Sequence, residues 1–121
     1  MSDTSFLVPL FRSIDAMDAD RFVSFLASDA VFRFGNAPEV RGGVAIRDAV
    51  AGFFGMIAGL EHRITDTWAH PDRVVCRGEV TYTRKDGTKI TLPFADVFVM
   101  RGGLVGDYRI YMDVTPLFPA S

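Results

Sequence analysis

The chain has 121 residues, 49% of them apolar, and a formal charge of −2. That is enough sequence for one domain with a real core; a disordered chain is excluded, and the lack of a basic run argues against nucleic acid as a partner. One cysteine, Cys76, cannot close an intrachain disulfide and fits a reducing cytoplasm, and with His62 and His70 it makes no familiar metal set. No apolar run reaches membrane-span length, and Met1 to Ser5 carry no basic leader.

Phe6, Leu7, Leu10, Phe11 and Ile14 recur at helical spacing, with Pro9 either starting that helix or kinking it. Asp18 is placed to cap a second short helix carrying Phe22, Val23, Phe25 and Leu26. Ala30 to Phe34 reads as a short strand with Phe32 and Phe34 on one side, and Asn36 to Gly43 as a loop. A third helix, Val44 to Ile57, buries Ile46, Val50, Phe53, Phe54 and Ile57. Four strands follow, near 61–70, 73–84, 88–101 and 104–114, separated by turns at Pro71-Asp72, Asp86-Gly87 and Gly102-Gly103. Helices followed by a strand meander predict a single α+β domain over 1–121, with three N-terminal helices packed on a curved, mainly antiparallel sheet.

Asp86-Gly87 suits a two-residue hairpin turn. Counting outward sets Thr83 opposite Ile90, Thr81 opposite Leu92, Glu79 opposite Phe94 and Arg77 opposite Asp96. On that count Asp96 shares an apolar sheet face with Phe94 and Phe98, and Arg77 and Glu79 lie beside it. An even-length turn at Pro71-Asp72 adds Asp66 opposite Arg77, Trp68 opposite Val75, Ile64 opposite Glu79 and His62 opposite Thr81. An odd-length turn sends Asp66 and His62 to the back. A three-residue, bulged turn at Gly102-Gly103 turns Tyr108, Ile110 and Met112 inward. The expected result is an apolar pocket floored by Asp96, Glu79 and Arg77, with Phe32, Phe34, His62, Asp66, Trp68, Phe94, Phe98, Tyr108, Ile110 and Met112 around it. The back face then carries Val74, Cys76, Val80 and Tyr82 against Pro93, Ala95, Val97 and Val99, a surface apolar enough for a homodimer with the sheet backs packed together. A monomer whose own loops cover that face is the other reading.

A buried carboxyl can serve as general base once burial raises its pKa, or stay protonated and donate to a developing oxyanion. An arginine between carboxylates instead keeps both charged, and the same residues also make a closed ion-pair network with no chemistry. His62 and His70 equally read as ordinary strand or turn residues, Trp68 as core, and Cys76 as a small apolar filler on the back face.

Met17-Asp18-Ala19-Asp20, Phe25 to Ala30, Gly42-Gly43-Val44-Ala45-Ile46, Asp96-Val97-Phe98 and Tyr108 to Asp113 together resemble the nuclear-transport-factor-2-like superfamily, the SnoaL-like and ketosteroid-isomerase-like cone fold, across nearly the whole chain. The resemblance implies a cone-shaped domain around an apolar pocket. It also implies cofactor-independent acid–base chemistry of isomerase, cyclase or hydrolase type on a compact hydrophobic molecule. The alternative it leaves is a non-catalytic ligand-binding or dimerisation module, since one scaffold hosts many functions. Against limonene-epoxide hydrolase, Arg77-Gly78-Glu79 falls on the Arg-x-Asp pair, but the second aspartate falls on Ile110 and the water-holding tyrosine and asparagine on Phe32 and Phe34. Against ketosteroid isomerase, the buried aspartate corresponds to Asp96, while the oxyanion tyrosine falls on Leu10 and the proton shuttle on Phe34. Polyketide-cyclase-like members use a cavity aspartate too, for which Asp96 is the candidate.

Overall fold

Leu7, Leu10, Phe11 and Ile14 lie on one face of the first helix, α1 (Leu7–Asp15), and all four are buried. Pro9 sits in its first turn, where a missing N–H costs no helical hydrogen bond, so it starts the helix without kinking it. The computed structural model describes residues 4–118; the first three residues of the stretch read for a leader, and positions 119–121 of the expected domain, lie outside the described residues. Asp18 caps α2 (Ala19–Val23) by accepting the Arg21 N–H at 3.0 Å. This helix is shorter than the apolar spacing predicted. Leu26 already belongs to β1 (Leu26–Phe34), where it is paired with Val105 of a later strand.

The expected loop 36–43 contains a two-residue strand, β2 (Val40–Arg41), and leads into α3 (Gly43–Phe54), which buries Ile46, Val50 and Phe54. The meander is β3 (Gly59–His70), β4 (Arg73–Thr83), β5 (Lys89–Arg101) and β6 (Leu104–Tyr111), closed by a short 3-10 turn at Thr115–Leu117. The sheet order is β2-β1-β6-β5-β4-β3, antiparallel except where β1 runs parallel to β6. Three helices thus pack against a six-stranded, mainly antiparallel sheet, the α+β architecture expected from the sequence.

The β4–β5 hairpin corrects the predicted register. Its loop has three residues, not two. Arg84 and Thr88 close it, the Gly87 N–H donates to the Arg84 carbonyl at 2.9 Å, and Gly87 takes φ +88°. This is a type I turn followed by a left-handed glycine. Pairing is therefore displaced by one residue: Cys76 faces Asp96, Arg77 faces Ala95 and Glu79 faces Pro93. A one-residue displacement turns every side chain to the other face. Val74, Cys76, Val80 and Tyr82 point into the core and are buried, whereas Arg77 and Glu79 join Pro93, Ala95, Val97 and Val99 on the outside.

On β3, Asp66 pairs with Arg77 and Trp68 with Val75, as an even turn requires, but a bulge at Thr65 then changes the phase. Beyond it Ile64 faces Gly78 and His62 faces Val80, so His62 points inward while Asp66 and Trp68 point outward. Gly78 permits that bulge: a Cβ there would lie 2.0 Å from the Arg63 carbonyl oxygen. The Gly102-Gly103 turn has two residues, and a bulge at Gly106 supplies the extra one that brings Tyr108 and Ile110 inward.

Candidate active site

The concave sheet face and the helices enclose a cavity of about 350 Å³. Its inner part is aromatic. Phe22, Phe32 and Tyr108 meet edge to face or tilted at 5.4–6.0 Å between ring centres. Lining residues that are also exposed, namely Asn36, Ala37, Pro38, Ala49, Met56 and Phe118, mark the mouth. Among the described residues no Lys or Arg lines the cavity, and its polar members are Asn36, His62, Tyr82, Asp96 and Tyr108.

Eight of the sequence-predicted residues meet here: Asp96, Phe32, Phe34, His62, Phe94, Tyr108, Ile110 and Met112. Phe98 stands behind the wall, fully buried, with its ring 4.4 Å from that of Tyr108 and edge-on to Phe6 at 5.3 Å. Arg77, Glu79, Asp66 and Trp68 do not reach the cavity. On the outer face Arg77 Nε donates to Asp66 Oδ2 at 2.8 Å, and its guanidinium lies over the Trp68 ring at 5.4 Å. Glu79 accepts from Arg63 there at 2.6 Å. The expected polar floor of three residues is thus reduced to Asp96, and the ion-pair network belongs to the opposite face. Cys76 is buried on the cavity side of the sheet instead of the back, and that burial pushes its thiol up.

Asp96 is 1% exposed. The Tyr108 hydroxyl donates to its Oδ2 at 3.1 Å, while Oδ1 is buried and has no hydrogen-bond partner among the described residues. Burial raises the carboxyl well above the ordinary carboxylate range, and the Tyr108 hydrogen bond pulls the other way without offsetting it. With no cation beside it, ionisation would leave an unpaired charge in an apolar wall, which costs far more than holding the proton. The protonated, neutral acid is therefore the form that burial favours at Asp96. Tyr108, fully enclosed, and Tyr82 are pushed up in turn, first by burial and then by Asp96.

A second polar group comes from a residue that sequence reasoning missed. Asp15, the last residue of α1, accepts the His62 backbone N–H at 3.1 Å and contacts the ring Nδ1 at 2.6 Å. A carboxylate only accepts, so Nδ1 carries a proton. The ring is held between Phe11 and Phe94 at 4.8 and 5.3 Å, and the side chain is 10% exposed. One signal could have found Asp15: a carboxylate ending a helix opposes the helix dipole by about 0.3–1 kcal/mol and needs a compensating donor. Among the described residues no group of three or more His, Cys, Asp or Glu side chains is arranged to hold a metal ion.

The profile of one family, the SnoaL-like domain, matches residues 9–108. No curated protein matches the chain. Solved structures share its fold at low identity. A protein from Catenulispora acidiphila with a ketosteroid-isomerase-like fold, in complex with trimethylamine, is 16% identical with a TM-score of 0.85, over 94% of this chain and 89% of that one. TerC co-crystallised with polyporic acid is 19% identical with a TM-score of 0.80, over 92% and 91%. An M. tuberculosis epoxide hydrolase of the limonene-epoxide-hydrolase-like type is 19% identical with a TM-score of 0.76, over 89% and 80%.

Proposed function

We propose that this chain, which belongs to the SnoaL-like domain family, takes a neutral, largely apolar organic molecule into its cavity and moves a proton on it without a cofactor. The carrying observation is the buried, unpartnered Oδ1 of Asp96 in a cavity that no cation lines. A ligand carboxylate or phosphate would find no counter-charge there, whereas a carbonyl or hydroxyl oxygen finds a neutral acid able to donate. Proteins of the same fold include an epoxide hydrolase and one co-crystallised with polyporic acid, so small organic molecules are known company for this scaffold.

In the proposed step the substrate oxygen accepts a hydrogen bond from Asp96, which Tyr108 holds in place. His62 Nε2 takes a proton from carbon next to the polarised group; the C–H electron pair moves toward that oxygen, and the proton returns to carbon from the imidazolium. Asp15 fixes the ring and its tautomer and stabilises the charge that His62 gains. Isomerase and cyclase chemistry both begin this way. A ligand-binding module without turnover is the competing reading, supported by how few polar groups line the cavity.

Deuterium uptake separates the two without knowledge of the true substrate. Neutral aromatic ketones incubated with the protein in heavy water should exchange hydrogens next to the carbonyl, as read by NMR. His62→Ala and Asp96→Leu should abolish the exchange while the matched carboxylic acids never bind. Binding without exchange would establish the module instead.

The outer sheet face belongs to the same proposal. Trp68 and Tyr111, 50% and 57% exposed, flank Val75, Pro93, Ala95, Val97 and Val99, and a second copy of the chain covers them as a homodimer. The lone thiol is buried and free, which suits the reducing cytoplasm. No helix among the described residues is long and apolar enough to cross a membrane.

A further inference from the structure

The cavity mouth is bordered by two loop segments, and they are held differently. On one, the loop carrying Asn36, Ala37 and Pro38 is fixed at several points. Arg33 Nε donates to the Ala37 carbonyl at 3.0 Å, the Gly35 N–H to the Ile110 carbonyl at 2.9 Å, and Arg109 bridges Glu39 and Asp107. On the other side runs the segment 114–118, ending in Phe118, which lines the mouth while remaining 42% exposed.

Two anchors hold that segment. Leu117 is buried, and the Arg84 guanidinium reaches across from the β4–β5 turn. Its Nε donates to the Leu117 carbonyl at 3.0 Å and its Nη2 to the Pro116 carbonyl at 2.9 Å. The turn itself presents the guanidinium: Arg84 Nη1 donates to Thr88 Oγ1 at 3.1 Å, and Asp86 accepts from both the N–H and the hydroxyl of Thr88. Phe118 in turn lies edge-on to Phe53 at 6.3 Å, and Phe53 packs on Phe34 and Tyr82 of the wall. One cation outside the cavity therefore sets the position of an aromatic ring at its entrance.

We propose that the segment 114–118 is the gate through which ligand enters and leaves the cavity, with Arg84 its latch and Phe118 its leaf. Arg84 is a positioning residue: it touches backbone carbonyls of the gate and no cavity atom. Opening requires the loss of two charge-assisted hydrogen bonds, the burial of Leu117 and the Phe118–Phe53 contact, whereas the opposite loop would have to break its contacts with Arg33 of β1 and with Ile110 and Arg109 of β6. Ligand exchange is thereby controlled at a distance from Asp96 and His62. The inference rests on the cavity being a ligand site, as proposed above.

Two measurements test it on the full chain. Residue-resolved amide exchange reads the latch without ligand. Arg84→Gln should speed exchange of the Leu117 and Phe118 amides at least tenfold and leave Val80 and Phe98 unchanged; Arg84→Lys should fall between. Stopped-flow release of the neutral naphthalene ketone dye Prodan reads the gate. Arg84→Gln and Phe118→Ala should each release it about tenfold faster, and the double variant little faster than either. Unchanged amide exchange in Arg84→Gln overturns the latch, and unchanged release in both single variants overturns the gate. If Prodan fails to enter the unmodified protein at all, the cavity reading itself fails and the gate goes with it.

Discussion

An acid buried in an apolar wall with no cation beside it favours its protonated form, and Asp96 is built that way. The consequence for stability has a definite sign. The unfolded carboxyl ionises near its ordinary value of 3.8, whereas the folded one stays protonated well above that. Below that pH both states hold the proton and stability does not depend on it. Above it the unfolded state gains by releasing its proton and the folded state does not, so stability falls as pH rises until the folded carboxyl itself ionises, by about 1.4 kcal/mol per pH unit. The double variant Asp96→Leu/Tyr108→Phe, which leaves neither the carboxyl nor the Tyr108 hydroxyl to satisfy, should be at least as stable as the natural protein at pH 4, whereas Asp96→Leu alone strands that buried hydroxyl. Urea titrations from pH 4 to 7 should show the gap widening, while turnover is lost. A gap that narrows with pH would mean that Asp96 is ionised in the fold. The residue is a liability for stability that the rest of the core tolerates, which agrees with the proposed role of Asp96.

At the scale of elements, the chain conveys its strands, helix faces and apolar set well and its register poorly. The Asp86-Gly87 dipeptide suggested an even turn, yet β4 carries its own evidence of parity: Val74, Cys76, Val80 and Tyr82 alternate with Arg73, Arg77, Glu79 and Thr81. The odd register hides the first set and solvates the second, and burial outweighs a turn preference because it acts on every residue of the strand. Inward Tyr108, Ile110 and Met112 were legible for the same reason, although the bulge at Gly106, not a longer turn, brings them in. Asp15 was not legible from β3, because its pairing with His62 spans 47 residues and depends on where α1 ends. Neither was the bulge at Thr65, whose trace in the sequence is a glycine on the neighbouring strand. That glycine makes a prediction. Gly78→Ala drives a methyl into the Arg63 backbone and should cost about 3 kcal/mol or more, at the upper end for overpacking. Gly106→Ala meets only the movable Arg101 guanidinium and should cost clearly less. Urea midpoints rank the two. Equal losses would show that β3 can shed its bulge, and deuterium uptake would then reveal whether His62 still reaches the cavity.

Across the whole molecule the two sheet faces divide the labour. The concave face holds the cavity, and the convex face holds the ion pairs of Asp66 with Arg77 and of Arg63 with Glu79, placed among Trp68, Val75, Val97, Val99 and Tyr111. Strands β3 to β6 lie about 4.8 Å apart and rise about 3.3 Å per residue, so their shared outer surface offers roughly 600 Å² per copy. Two such faces packed together would bury about 1,200 Å², at the lower end of stable specific interfaces. Exposed pairs contribute little on an open surface, but across an interface they would set the angle at which the two sheets meet. Val97 lies near the middle of this surface, flanked across the ladder by Val75 and Arg109, with no carboxylate directly paired to it. A lysine there would have to be desolvated without a partner. If the proposed dimer forms through this face, Val97→Lys should convert it to monomer in light scattering, with deuterium uptake by ketones reduced no more than a few-fold, because the cavity faces the other way. A dimer that survives the substitution would place the interface on another surface. A monomer that loses all uptake would mean that the second copy holds the cavity wall in shape from behind.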